Sequence, residues 1–244
     1  MATFVFLHGG WSASWVWESS AKVMRDKGHK AYCLDLPGHG QNHSVSLEQV
    51  KMGDHVRCVE EFLAGIPEKV IMVAHSMSGM IMSQVAEDMP EKMEKIVYFA
   101  AFMPETDGAA MIQYILEDPW TQVGPQTTLQ LPNGLSDFRK PYLRNLGFNT
   151  CGDEAFSFAE SRLQLENGFL WTEPIHITER FESVPKVYVH TLKDNCCSYY
   201  MQRRLVKSHG MRASFYLDTD HFGMIAAPEE TQKILLEIAE MKTE

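Results

Sequence analysis

Two kinds of segment alternate along the 244-residue chain, and this alternation constrains the fold more than any other feature. Short apolar runs rich in Val, Ile, Phe and Tyr predict strands buried on both faces. They lie at 3–8, 30–36, 69–74, 95–101, 186–192 and 212–217. Helical periodicity occurs between and after them, at 15–27, 46–65, 78–88, 198–208 and 228–242. The alternation predicts an α/β fold with a mostly parallel, doubly wound sheet.

The alternation of strand and helix patterns is interrupted once, between residues 103 and 184, where no sheet strand is recognisable. Such a stretch is too long for a structureless loop in a compact domain. It is also too rich in aromatic residues to be disordered. We therefore predict a helical cap, residues 103–184, inserted into a core formed by residues 1–102 and 185–244.

Composition excludes several classes of function. The chain has 22 Lys plus Arg against 32 Asp plus Glu, a formal charge of −10, which argues against a nucleic-acid partner. Its five cysteines are odd in number and lack metal-binding spacing, so we expect no metal site and a reducing compartment. The apolar run at 2–7 is too short for a signal peptide or a membrane span. A cytoplasmic protein without a membrane partner is the expectation.

A serine follows the buried strand 69–74 at the start of an apolar helix. Strand, turn and helix in this order are the context of a nucleophile elbow, and they predict Ser76 as the nucleophile. The tight turn requires small residues two before and two after the serine; these are Ala74 and Ser78 instead of the usual glycines. Two alternatives remain. Ser78 could be the nucleophile, although inside a helix its hydroxyl tends to bond to the preceding turn, and Ser76 could simply cap the helix.

A serine hydroxyl needs a base to take its proton and an acid to orient that base. In folds with this elbow the chain order is Ser, then Asp or Glu, then His. Asp194 follows the strand 186–192 and His221 follows the last strand, so we predict them as acid and base. Asp218 and Asp220 are alternative acids, but they are so close in sequence to His221 that reaching its ring is awkward.

Of the other nine of the ten histidines, His176 in the cap could contact substrate, and the rest receive structural interpretations. His75, beside Ser76, is expected to pack or bond structurally, and His190 to be buried in a strand. His39 and His55 are expected on loop or helix surfaces.

The first strand runs directly into His8-Gly9-Gly10-Trp11. Acyl transfer builds negative charge on a carbonyl oxygen, and each backbone N–H aimed at that charge contributes about 3 kcal/mol. Glycines let the backbone approach a ligand closely. We predict the N–H groups of Gly10 and Met77 as the oxyanion hole. The alternative for the two glycines is a simple tight turn.

Several linked motifs carry a family resemblance: HGGW at 8–11, WVW at 15–17, GHK at 28–30, LDLPGHG at 34–40, AHSMSG at 74–79 and FAAFMP at 99–104. In these the chain resembles the plant methylesterase and hydroxynitrile lyase family of the α/β-hydrolase superfamily, with its bacterial esterase relatives. The resemblance implies an α/β-hydrolase fold with a helical cap, no cofactor, a small-molecule ester substrate and, often, a homodimer. The lyases of that family carry Thr after the first-strand His and Lys after the catalytic His. Here Gly9 and Phe222 take those positions, so the resemblance favours ester hydrolysis.

The sequence thus predicts a serine esterase acting on small to medium hydrophobic carboxylic esters. The predicted substrate pocket comprises Trp11, Met103, Met111, Trp120 and Phe222. Three alternatives stay open: a hydroxynitrile lyase, a lactonase, or a non-catalytic binding protein of the same fold. The pair Cys196-Cys197 departs from the family's pattern in the acid loop and is interpreted as packing.

Overall fold

The computed structural model describes residues 1–211 and 213–241. In the described residues the strands, in chain order, are β1 (Thr3–Leu7), β2 (Lys30–Leu34), β3 (Val70–His75), β4 (Met93–Phe99), β5 (Thr128–Gln130), β6 (Leu135–Phe138), β7 (Glu166–Asn167), β8 (Lys186–Thr191) and β9 (Ser214–Leu217). The α-helices are α1 (Glu18–Asp26), α2 (Met52–Ala64), α3 (Ser78–Asp88), α4 (Met111–Glu117), α5 (Lys140–Gly147), α6 (Asp153–Glu160), α7 (Glu179–Glu182), α8 (Tyr199–Ser208), α9 (Gly223–Ala226) and α10 (Pro228–Glu240).

Six strands form the central sheet in the order β2-β1-β3-β4-β8-β9. Every neighbouring pair is parallel. The strands β1 and β3 are buried along their whole length, as expected for strands covered on both faces. Because all six strands run the same way, their carboxyl ends meet at one edge, and loops at that edge are where such sheets bind ligands.

The six predicted strands are confirmed, with ends that differ from the expectation by one or two residues. Arg212, the first residue of the predicted 212–217, lies outside the described residues, as does Lys242 at the end of 228–242. The predicted helix 46–65 is wrong at its start, because α2 begins at Met52. There the Asp54 carboxylate accepts the Lys51 N–H at 2.9 Å, and Glu173 accepts the Met52 N–H at 3.0 Å. These bonds satisfy N–H groups that a helix start leaves without intrahelical partners.

Between 103 and 184 the chain contains helices, as expected, together with a small sheet that the sequence did not reveal. Strands β5, β6 and β7 pair antiparallel. They have three, four and two residues, too few for an alternating pattern to stand out. The boundaries of the cap stay a prediction, and we call residues 103–184 the insertion below.

Across the part of the chain that the structure describes, no helix combines the length and the apolar character needed to cross a membrane.

Candidate active site

Ser76 lies just beyond β3, between the sheet and α3. Its φ of +54° is in the left-handed region, which non-glycine residues rarely adopt. A strained turn of this kind exposes the serine hydroxyl above the sheet. Ser76 lines a cavity at the carboxyl edge of the sheet. The alternative nucleophile, Ser78, is fully buried, and its hydroxyl donates to the carbonyl of His8 instead of the preceding turn.

His221 and Asp194 form a hydrogen-bonded pair at the same edge. His221 Nδ1 lies 2.8 Å from Asp194 Oδ2, and both side chains are at most 5% exposed. Because a carboxylate only accepts, Nδ1 carries the proton and Nε2 is left as the basic nitrogen. Ser76 and His221 line the same cavity, but their side chains are not hydrogen-bonded to each other. In ligand-free enzymes the hydrogen bond between nucleophile and base is often long, and it shortens when substrate binds.

The Asp194 carboxylate is held by a buried network from β8 and α8. Oδ1 accepts the N–H groups of Cys196 at 2.7 Å and Cys197 at 3.0 Å. Oδ2 accepts the Thr191 hydroxyl at 2.8 Å and Gln202 Nε2 at 3.2 Å, in addition to His221. These donors compensate the carboxylate for the water that it loses on burial, and they fix its orientation towards His221.

The two alternative acids have other partners. Asp218 pairs with Lys193 at 2.7 Å on the surface. Asp220 accepts the backbone N–H and the hydroxyl of Thr150 in the insertion, at 2.7 and 2.8 Å. Asp194 is therefore the carboxylate that contacts the His221 ring.

His75 supports the histidine loop from behind. Its Nε2 donates to the His221 carbonyl at 2.9 Å, and the two rings lie 4.5 Å apart. Burial lowers the pKa of His75 well below its usual value, and proximity to His221 lowers it further. A neutral His75 adds no charge beside the proposed base, so its role is to position the loop.

The loop after β1 approaches Ser76 too closely for a side chain at position 9. A β-carbon on Gly9 would lie 2.6 Å from His75 Nδ1 and 2.9 Å from Ser76 Cβ, both well inside ordinary contact. The next residue, Gly10, lines the cavity with Met77, which directly precedes α3. The two predicted oxyanion-hole residues are thus brought to the same cavity as Ser76 and His221.

The cavity comprises about 320 Å³ of space between atoms, part of it open to solvent, and is lined mainly by apolar side chains. Trp11 and Met111 of the predicted pocket line it. Met103, Trp120 and Phe222 do not, and the prediction is corrected for them. Besides Gly10, Ser76, Met77 and His221, the other lining residues are Phe102, Ile115, Val123, Trp171 and Cys196.

Each of the three corrected residues has a physical reason to lie elsewhere. Trp120 is 68% exposed on the insertion, and Met103 is fully buried in the core. Phe222 is 1% exposed and stacks on Phe148, with ring centroids 4.4 Å apart, behind the His221 and His75 rings. The sequence could have indicated Phe102, which lies within the FAAFMP motif that begins at the last residue of β4, and Ile115, which lies one helical turn beyond Met111.

Asp194, Cys196 and His221 are the one group of three potential metal ligands found in the described residues, with donor atoms within 4.8 Å of one another. This donor set does not fit a metal, because the carboxylate oxygens already accept five hydrogen bonds and His221 Nδ1 carries the proton directed at them. Burial raises the pKa of the Cys196 thiol well above its usual value, so the sulfur stays protonated. The cluster is a hydrogen-bonded acid and base.

Comparison with known proteins identifies the family of the chain. The sequence model described as the alpha/beta hydrolase family matches residues 4–233. Methylesterase 18 of Arabidopsis thaliana is 28% identical over 257 residues, which cover 97% of this chain and 96% of the relative. Salicylic acid-binding protein 2 of Nicotiana tabacum is 28% identical over 250 residues, with the same coverage of 97% and 96%. The crystal structure of polyneuridine aldehyde esterase superposes with a TM-score of 0.85 at 25% identity, covering 98% of this chain and 100% of that one. The chain therefore belongs to the alpha/beta hydrolase family.

Proposed function

We propose that this protein is a serine esterase that hydrolyses small to medium hydrophobic carboxylic esters. The observation that carries the proposal is the junction of four loops at one sheet edge. A strained serine, a buried histidine–carboxylate pair and the glycine loop after β1 meet there around one cavity. The similarity to proteins named methylesterase and polyneuridine aldehyde esterase supports ester hydrolysis.

The proposed reaction has two steps. His221 Nε2 takes the proton of Ser76 as the hydroxyl attacks the ester carbonyl, and the N–H groups of Gly10 and Met77 stabilise the oxyanion. His221 then protonates the leaving alcohol. Water, activated by the same nitrogen, releases the acid from the acyl-enzyme and restores Ser76. Asp194 keeps His221 in the required tautomer throughout and stabilises the imidazolium.

The apolar lining of the cavity supports a hydrophobic substrate. Trp11 and Trp171 meet edge to face at one side, with ring centroids 5.0 Å apart, and Met111 and Ile115 of α4 also line the cavity. Burial of apolar surface contributes about 25 cal/mol per Å², so a substrate with an apolar or aromatic acyl group gains most there.

Two features disfavour cyanohydrin cleavage on the same framework. A threonine at position 9 would place its β-carbon into His75 and Ser76. The side chain at position 222 is 1% exposed, stacks on Phe148 and is not among the residues that line the cavity, so an ammonium in its place would have to be buried among aromatic rings. Lactone hydrolysis would use the same proposed catalytic groups, so whether a lactone is hydrolysed depends on whether its ring fits the cavity.

The test compares Ser76→Ala with Ser78→Ala. Ser76→Ala should lower kcat for a short p-nitrophenyl ester by at least about 1,000-fold and abolish labelling by a fluorophosphonate probe, because the attacking oxygen is gone. Ser78→Ala removes a neighbouring buried hydroxyl and should retain labelling. Full activity in Ser76→Ala would refute the mechanism. Labelling of the wild-type protein without turnover of any ester or lactone would instead favour the non-catalytic binding protein.

The predicted cytoplasmic location and homodimer stay predictions. Size-exclusion chromatography with light scattering would test the dimer, and localisation of a tagged chain would test the compartment.

A further inference from the structure

A carboxylate from the insertion lies against the loop that follows β1. Glu166, in β7, is fully buried, and its Oε2 lies 3.2 Å from His39 Nε2. The same oxygen accepts the backbone N–H of Trp11 at 3.2 Å. We propose that Glu166 is a positioning residue for the reaction: it holds residues 8–11, the oxyanion loop, so that the Gly10 N–H faces the substrate carbonyl. The inference rests on the proposed esterase function.

The oxyanion loop needs external support because its backbone is strained. Trp11 has a φ of +58°, and a non-glycine residue in that region costs about 1–3 kcal/mol. All three polar groups of Trp11 are bound by the insertion. Its N–H donates to Glu166, its carbonyl accepts Gln164 N–H at 2.9 Å, and its indole N–H donates to the Ser136 carbonyl at 3.2 Å. The strained conformation is therefore maintained by the small antiparallel sheet and the residues beside it.

The carboxylate lies beside the proposed oxyanion donor itself. A β-carbon on Gly10 would lie 3.1 Å from Glu166 Oε2, so the charge is adjacent to this residue. A lone negative charge in this place would oppose the developing oxyanion. The His39 ring, also fully buried, provides the compensating positive charge.

The surroundings favour the ionised form of this pair. Burial raises the pKa of Glu166, but the charge and hydrogen bond of His39 together with the Asn167 N–H outweigh burial and leave the pKa below its usual value. Burial lowers the pKa of His39, but the charge and hydrogen bond of Glu166 together with the Pro37 carbonyl and Asp35 outweigh burial and raise the pKa. Three other titratable groups face the pair. Burial lowers the pKa of His8 and of His55 to about 3, so both are neutral at pH 7, and the pKa of Asp35 is also lowered, which keeps it ionised.

Glu87 offers a matched control. It is a nearly buried carboxylate in α3 that also binds the insertion, accepting the N–H groups of Thr178 at 2.7 Å and Phe181 at 3.0 Å. It has no hydrogen bond to the oxyanion loop. A general loss of support for the insertion should therefore affect Glu87→Gln as much as a Glu166 variant.

The experiment compares the wild-type protein with Glu166→Ala, Glu166→Gln and Glu87→Gln. For each protein, kcat and KM are measured with a p-nitrophenyl ester. The affinity is also measured for a boronic acid, which forms a tetrahedral adduct with the serine. Glu166→Ala should lower kcat about 100-fold, since misplacing a reacting group by 1 Å costs about that much, with KM changed less than about threefold. Its boronate affinity should fall in parallel. Glu166→Gln keeps an oxygen that accepts the Trp11 N–H and should recover about tenfold of the loss. Glu87→Gln should keep kcat within about twofold, because it leaves the loop untouched.

Hydrogen exchange at the backbone N–H of Trp11 measures how often the oxyanion loop opens, independently of catalysis. It should accelerate at least about tenfold in Glu166→Ala but not in Glu87→Gln. Wild-type kcat in Glu166→Ala, a loss confined to KM, or an equal loss in Glu87→Gln would each overturn the proposal. If the wild-type protein hydrolysed no ester, the proposed function would fail, and exchange at Trp11 would still decide whether Glu166 holds the loop.

Discussion

Replacing Gly9 by alanine tests the geometry of the proposed oxyanion hole most directly. The added β-carbon would lie 2.6 Å from His75 Nδ1, about 0.8 Å short of the 3.4 Å at which ordinary contact begins. It would also lie 2.9 Å from Ser76 Cβ, next to the backbone. His75 cannot move freely, because its Nε2 is bonded to the His221 carbonyl. The loop must therefore withdraw from Ser76, or His75 must push on the His221 loop.

Either movement is close to 1 Å, and a misplacement of that size costs about 100-fold in rate, which corresponds to about 2.7 kcal/mol in the barrier. We expect kcat of Gly9→Ala on a p-nitrophenyl ester to fall by about this factor, with a KM change below about threefold because Met111, Ile115 and Trp171 of the apolar lining lie outside the loop. Overpacking should also lower the free energy of unfolding by about 1–3 kcal/mol, measured by urea denaturation.

Gly53→Ala is the control, since a β-carbon at this position in α2 meets nothing within 4 Å. It should leave kcat unchanged and can stabilise the helix by up to about 1 kcal/mol. A Gly9→Ala protein with wild-type kcat would refute the close approach of the loop to Ser76. So would a loss of activity that matches the fraction of unfolded protein, because the defect would then lie in stability alone.

Three further substitutions test other parts of the site. Gln202→Leu removes a hydrogen-bond donor to the Asp194 carboxylate and should lower kcat about tenfold. It should also lower the free energy of unfolding by about 1–3 kcal/mol, because it leaves buried polar groups without partners. An unchanged kcat and an unchanged urea midpoint would argue against the role of this network. Trp171→Ala should raise KM for an aromatic ester because Trp171 lines the cavity, whereas Trp120→Ala, at a side chain that is 68% exposed, should leave KM unchanged. Equal changes in KM for the two variants would contradict the assignment of Trp171 to the cavity lining. Phe222→Ala should lower the free energy of unfolding by about 3–5 kcal/mol, as expected for a buried aromatic side chain; a loss below 1 kcal/mol would contradict its packing.

The strands of the central sheet and the positions of the loops after them follow from local patterns, so the sequence predicts them well. Each strand of the sheet is an apolar run between polar segments, and parallel pairing brings Ser76, Asp194 and His221 to one edge. The elbow is recognisable although glycine is absent at 74 and 78, because strand, turn and helix succeed one another directly.

The insertion was less predictable because its structure depends on contacts distant in sequence. Strand β7 has two residues and no pattern of its own; it exists because β6 pairs with it. His39 and His55 were expected at the surface, since a histidine in a polar segment is usually exposed. Both are fully buried, and Glu166 from the insertion, more than 100 residues away in sequence, accounts for the burial of His39.

The proposed catalytic groups are anchored in different parts of the fold, and this has a consequence for the insertion. Asp194 is held by β8 and α8 within the central fold, and the His221 loop by His75 at the end of β3. The oxyanion loop is held by β6, β7 and Gln164 of the insertion. A substitution in α4, which lines the cavity without a hydrogen bond to that loop, should then act on KM. A substitution in β6 or β7 should act on kcat, because it alters the alignment of Gly10 with the reacting carbonyl while the lining contributed by α4 stays in place. Substitutions in the insertion can thus change esterase activity in two separable ways: by changing how the substrate fits the cavity, or by changing how the oxyanion is stabilised.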